Sequence, residues 1–312
     1  MSTLIEQASL RLEQLRRAGA SVAPTGAVGA PIGIIAEPAA KPQPASPVAP
    51  PAAEFDPGAT TGQMSRRVEF DLDALAAAGI VSPNAPRSKI ADQYRVIKRP
   101  LIANAMAKGA SVVANGNLIM VTSAVAGEGK SFTALNLAMS IATELDNTVM
   151  LVDADVARPS ILRMLGLPAS QGLLDLLIGE VPDLSRVMLR TNIDKLTILP
   201  SGTPHARATE LLASDSMSRL IEDMAKRYSD RIIIFDSPPL LLTTESRVLA
   251  THMGQIVVVV HADKTLQSDV QHAVSTIEAC PVKMVVLNQA RAGTRGGYGY
   301  GYGEGYGYGY GQ

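Results

Sequence analysis

The sequence predicts an α/β domain built on a mainly parallel sheet flanked by helices, and three observations lead there. Between Leu118 and Leu287, short β-branched runs alternate with longer stretches of helical periodicity. The runs are apolar almost throughout, the pattern of strands covered on both faces. The 312 residues are 46% hydrophobic and 18% charged, with a net charge of -1. That composition supplies one sizeable core but no surplus of cations for nucleic acid.

Taken in order, the chain divides into four parts. Residues 1–19 read as an amphipathic helix: Thr3 and Glu6 can form a capping box, and Leu4, Ile5, Ala8, Leu12 and Leu15 share one face. Charges at Glu6, Arg11, Glu13, Arg16 and Arg17 argue against a signal peptide. Residues 20–66 are rich in Pro, Ala and Gly and read as a disordered linker. Order is expected to resume near Val68, so the α/β domain is assigned to 67–293. Its candidate strands are Leu118–Thr122, Thr148–Val152, Leu196–Leu199, Arg231–Phe235, Ile256–Val260 and Lys283–Leu287, with helices over Ser131–Glu144 and Ser214–Tyr228. Residues 294–312 alternate Tyr with Gly. Glycine at every second position weakens a strand, so this part reads as a disordered tail. One cysteine, Cys280, excludes a disulfide framework, and no run is long and apolar enough to span a bilayer. A cytoplasmic setting is expected.

Ligands on parallel sheets bind beyond the carboxyl ends of the strands. After the first strand comes Ala124-Val125-Ala126-Gly127-Glu128-Gly129-Lys130-Ser131, then a helix. This is a phosphate-binding loop in which Ala124 stands where the first Gly is usual. Ala126, Gly127, Glu128, Gly129, Lys130, Ser131 and Phe132 are the candidate nucleotide contacts. The glycines let backbone N–H groups turn to phosphate, the helix N-terminus adds partial positive charge, Lys130 supplies a point charge and Ser131 a hydroxyl for Mg²⁺. Two further strands end in carboxylates, Asp153-Ala-Asp155 and Asp236-Ser-Pro-Pro, where a Mg²⁺ shell would need them. Bringing them together requires these strands to lie side by side in the sheet.

The order Gly-Glu-Gly-Lys-Ser, Val-Asp-Ala-Asp, Phe-Asp-Ser-Pro-Pro resembles the bacterial tyrosine kinases of capsular and exopolysaccharide loci. Leu199-Pro200-Ser201-Gly202, Glu210-Leu211-Leu212 and the C-terminal tyrosines add to the match. The opening helix and Tyr94-Arg95-Val96-Ile97-Lys98-Arg99-Pro100 resemble the branch found beside exosortase (PEP-CTERM) loci. Partition-type ATPases share the loop class but carry a second lysine, at the position of Val125. A non-catalytic nucleotide-binding regulator of polysaccharide export is a third reading. The family usually has a basic residue where this chain has Ala157.

The resemblance implies transfer of the ATP γ-phosphoryl group to tyrosine. Lys130 would hold phosphate, while Ser131, Asp155 and Asp236 organise Mg²⁺ and Asp153 accepts the phenolic proton. Asp153 and Asp155 could exchange those last two tasks. Asn288 would meet the adenine, or serve only as a strand-end turn residue. Tyr298, Tyr300, Tyr302, Tyr306, Tyr308 and Tyr310 would be the phosphoacceptors. Asp92, Arg95 and Lys98 match the family's subunit-interface helix, implying a homo-oligomer, in the family a ring. A membrane-bound polysaccharide copolymerase as activator and recruiter, and a tyrosine phosphatase, complete the implied partners. No nucleic acid is among them.

Overall fold

Seven strands form one sheet in the computed structural model, which describes residues 65–290 apart from 84–87, 108 and 110–111. The strands are β1 (Leu118–Ser123), β2 (Thr148–Asp153), β3 (Leu189–Arg190), β4 (Leu196–Leu199), β5 (Arg231–Asp236), β6 (Gln255–His261) and β7 (Val282–Asn288). Their order across the sheet is β3-β4-β2-β5-β1-β6-β7, and every pairing is parallel except β3 with β4. The helices are α1 (Leu72–Ala77), α2 (Lys89–Ala105), α3 (Lys130–Ala142), α4 (Ile161–Met164), α5 (Leu173–Leu177), α6 (Leu184–Val187), α7 (Ala208–Leu212), α8 (Asp215–Arg227), α9 (Glu245–Ala250) and α10 (Gln267–Ser275). The six strands expected from sequence all form, each within a residue of its expected ends. β3, only two residues long, was beyond the reach of any periodicity.

The central strands are covered on both faces. In β1, Leu118 and Met120 enter one core layer, whereas Ile119 and Val121 enter the other. α8 illustrates how a helix is held to such a face. Met217, Ile221 and Met224 recur at i, i+4 and i+7 and are buried, the Ser214 hydroxyl accepts from the Met217 amide, and Lys226 and Arg227 sit in the last turn. Phe70 and Leu75 are buried against the second layer, and Asp71 caps α1. β7 departs from the expectation of two covered faces. It is an edge strand whose residues alternate half-buried and exposed, with Val285 and Leu287 open to solvent. Among the described residues, no helix is long and apolar enough to cross a membrane. The expected N-terminal helix, nearly all of the expected linker and the tail tyrosines lie outside the described residues.

Candidate active site

The sheet order answers the question the sequence left open. β5 lies between β1 and β2, so the loop after β1 and the acidic ends of β2 and β5 meet at one sheet edge. Asp153 and Asp236 are register partners on adjacent strands. The loop turns through Gly127 at φ +85° and Gly129 at φ +91°, conformations that disfavour any residue with a Cβ. At Gly129 a Cβ would also collide with Asn288 Nδ2. α3 begins immediately afterwards with no side-chain cap and no acidic residue in its first turn. Its first N–H groups are therefore available to an anion.

Lys130 lies among carboxylates. Its ammonium is 2.5 Å from Asp155 Oδ2, 3.7 Å from Asp236 Oδ1 and 3.3 Å from Ser131 Oγ. Burial opposes its charge, but Asp236 and Asp155 outweigh that and hold it above its ordinary pKa. Asp153 turns Oδ2 to the amides of Ser160 (3.1 Å) and Ile161 (3.0 Å) at the start of α4 and leaves Oδ1 without a partner. Burial, only partly offset by those two amides, pushes its carboxyl up to about 6. Asp236 is fully buried and neither of its carboxylate oxygens has a hydrogen-bond partner. Burial drives it up to about 7 against the pull of Lys130, with Asp153 adding repulsion.

Three acids against one lysine leave an excess of negative charge beside a phosphate loop, and the unpartnered Asp236 oxygens suit a hard cation. No group of three or more His, Cys, Asp or Glu side chains among the described residues is disposed to hold a metal alone. Mg²⁺ fits here on one or two carboxylates, the Ser131 hydroxyl and phosphate oxygens, as it does in nucleotide sites. A cleft of about 380 Å³ opens over these groups, lined among others by Gly127, Lys130, Asp155, Arg158, Pro238 and Leu242. Arg158 reaches this cleft beside Ala157, so a cation is present although the usual basic position is not.

The side chains of three expected site residues make contacts within the protein. Glu128 is buried and points inward. Its carboxylate accepts from Val125 N at 2.7 Å, from His261 N at 3.3 Å and from the Thr265 hydroxyl, tying the loop to the end of β6. Phe132 packs against the second core layer. Asn288 donates through Nδ2 to the Glu128 carbonyl at 2.9 Å, bracing the loop from β7. The Thr265 contact was missed from sequence, because nothing in the run after β6 marks a partner 137 residues away.

The expected interface helix is α2. Asp92 and Arg95 are exposed and paired to each other. Lys98 is not on that surface, which corrects the sequence assignment. It is 2% exposed, donates to the Ser140 carbonyl and to Thr143 Oγ1 at 3.3 Å, and pairs with Glu144 at 2.8 Å. The reason is helical phase, since Tyr94, Lys98 and Leu101 share the buried face.

Residues 115–290 match the family described as ParA: NUBPL iron-transfer P-loop NTPase. The tyrosine-protein kinase YwqD of Bacillus subtilis (strain 168) is 29% identical over 206 residues, covering 66% of this chain and 83% of that protein. The tyrosine-protein kinase ptk of Acinetobacter johnsonii is 32% identical over 185 residues, 59% of this chain but only 25% of that longer protein. Among solved structures, the VpsO kinase domain superposes with a TM-score of 0.55 at 27% identity, covering 64% of this chain and 96% of the domain. The chain belongs to the ParA-type P-loop NTPases and, within them, groups with the bacterial tyrosine-protein kinases.

Proposed function

We propose that the chain is an ATP-dependent protein-tyrosine autokinase that phosphorylates Tyr298, Tyr300, Tyr302, Tyr306, Tyr308 and Tyr310 and so regulates exopolysaccharide polymerisation or export. The single observation that carries this reading is the convergence of Lys130, Asp153, Asp155 and Asp236 beside the loop, in a chain grouped with tyrosine kinases. Lys130 pairs with Asp155. Phosphate oxygens would compete with Asp155 for that ammonium, and Asp155 would then be one of the residues able to hold the metal. Bound Mg²⁺ supplies charge neutralisation of the phosphates, with Ser131, Asp155 and Asp236 as the residues that would hold it. Asp153 keeps its free Oδ1 for the phenolic proton while its Oδ2 stays fixed by α4. The phenol oxygen bonds to the γ-phosphorus, the bond to the β-phosphate oxygen breaks, ADP leaves, and Asp153 takes the proton. An acceptor raised to about 6 is a stronger base than an ordinary carboxylate, though still well below a phenol near 10.

The remaining family expectations are proposals on the same footing. They are assembly of copies through the exposed Asp92–Arg95 face of α2, activation and recruitment to the inner membrane face by a polysaccharide copolymerase, and reversal by a tyrosine phosphatase. The ParA family match favours one second reading, a partition-type ATPase that gives the γ-phosphate to water. Following labelled γ-phosphate separates the two. Label retained on the protein supports the kinase, and release as inorganic phosphate with an unlabelled protein refutes it.

A further inference from the structure

β7 is the last strand of the sheet among the described residues, and its outer edge is unpaired. Asn288 C=O accepts from Ala262 N at 2.9 Å on the β6 side. Alternation along the strand turns Val282, Met284 and Val286 the same way, and leaves the N–H and C=O groups of Lys283, Val285 and Leu287 facing the open edge. Among the described residues, no strand lies beyond them. The same three residues expose their side chains, Val285 at 55% and Leu287 at 63%. Beside them, Val270 and Val274 of α10 and Lys283 line a shallow groove. A sheet edge that offers backbone partners and an apolar face together invites pairing.

We propose that the chain's own C-terminal segment is the occupant, one of its Tyr-Gly triplets adding to β7 as an antiparallel strand with its tyrosines over Val285 and Leu287. The spacing matches on both sides. Lys283, Val285 and Leu287 stand at i, i+2 and i+4, and so do Tyr298, Tyr300 and Tyr302, and again Tyr306, Tyr308 and Tyr310. Period-two alternation puts all three tyrosines of a triplet on one face and the glycines on the other. Aromatic side chains opposite β-branched ones are favourable cross-strand pairs. Chain reversal is close at hand, because Gln289, directly after β7, already has φ +58°. From Ala290 to Tyr298 the chain can span up to about 28 Å, more than the ~20 Å length of β7, so either end of the strand is within reach. Glycine makes the segment a poor strand alone; a preformed edge supplies the ladder it lacks. The inference does not depend on the kinase reading.

The test is amide-resolved hydrogen exchange by NMR on the full chain without nucleotide. The outward amides of Val285 and Leu287 should exchange at least about tenfold more slowly in the native chain than in the full-length Tyr300→Pro, Tyr308→Pro variant, which lacks a ladder donor in each triplet. Replacing all six tail tyrosines by Phe should keep that protection, since the backbone makes the ladder. Equal exchange in the native and double-proline chains would overturn the proposal. So would protection that grows with protein concentration, because it would put the strand on a second copy.

Discussion

Replacing Asp236 by Asn should make the nucleotide-free protein more stable, and should do so in a way that depends on pH. The carboxylate is fully buried, has no hydrogen-bond partner, and stands next to Asp153 in register. Its folded pKa lies at about 7, against an ordinary 3.8. A group raised in the folded state favours folding fully only below its unfolded pKa, and that stability is lost as pH rises through the folded value. The native chain should therefore lose stability between pH 4 and pH 7 on account of this group, by at most about 4 kcal/mol. Asn cannot ionise, so the variant escapes that loss. Its thermal midpoint should exceed the native one by roughly 5–10 °C at pH 8, with the gap closing towards pH 4. Adding Mg²⁺ and ATP should reverse the ranking, since only the native chain keeps the carboxylate for the metal. Thermal melts of both proteins across that pH range, with and without nucleotide, provide the assay. A gap that does not change with pH, or a variant that gains as much from Mg·ATP as the native chain, would refute the reasoning.

Three further outcomes are expected. Asp153→Asn should bind Mg·ATP normally while phosphoryl transfer falls by about 10²-fold or more, and the rise in native activity through pH about 6 should disappear from its pH profile. Glu128→Ala should cost roughly 2–4 kcal/mol in thermal or denaturant unfolding and raise the KM for ATP, because three donors lose one buried carboxylate and the loop comes loose from β6. Removing residues 1–64 should leave the rate of transfer in vitro unchanged, as measured by incorporation of labelled phosphate, because the described groups that line the cleft lie between Ala126 and Thr243.

The readable part of the fold was the part in which local pattern and tertiary environment agree. Continuous apolar runs such as Ile232–Phe235 and Ile256–Val259 are buried on both faces, and the sheet needs nothing else from them. The same signal misleads at β7. Val285 and Leu287 are as apolar as residues of a central strand, and only the strand order makes them an exposed edge. At the site, the residue types of Lys130, Asp153, Asp155 and Asp236 announced phosphate and metal chemistry, but their meeting depends on β5 lying between β1 and β2. No local periodicity encodes that order. Lys98 was legible in principle, because Tyr94 and Leu101 place it on the buried face, yet its partner Glu144 lies in the turn after α3, far along the chain. Glu128 was not, since a loop glutamate between two glycines gives no sign of an inward turn towards Thr265.

Residue-resolved phosphate mapping after incubation with Mg·ATP tests the central claim most directly, run in parallel on the native chain and on Lys130→Met. The account predicts phosphate on tyrosines between Tyr298 and Tyr310 in the native chain and none in Lys130→Met, whose unfolding transition remains cooperative. Phosphate found only outside that segment, or equal modification of a folded Lys130→Met protein, would contradict it.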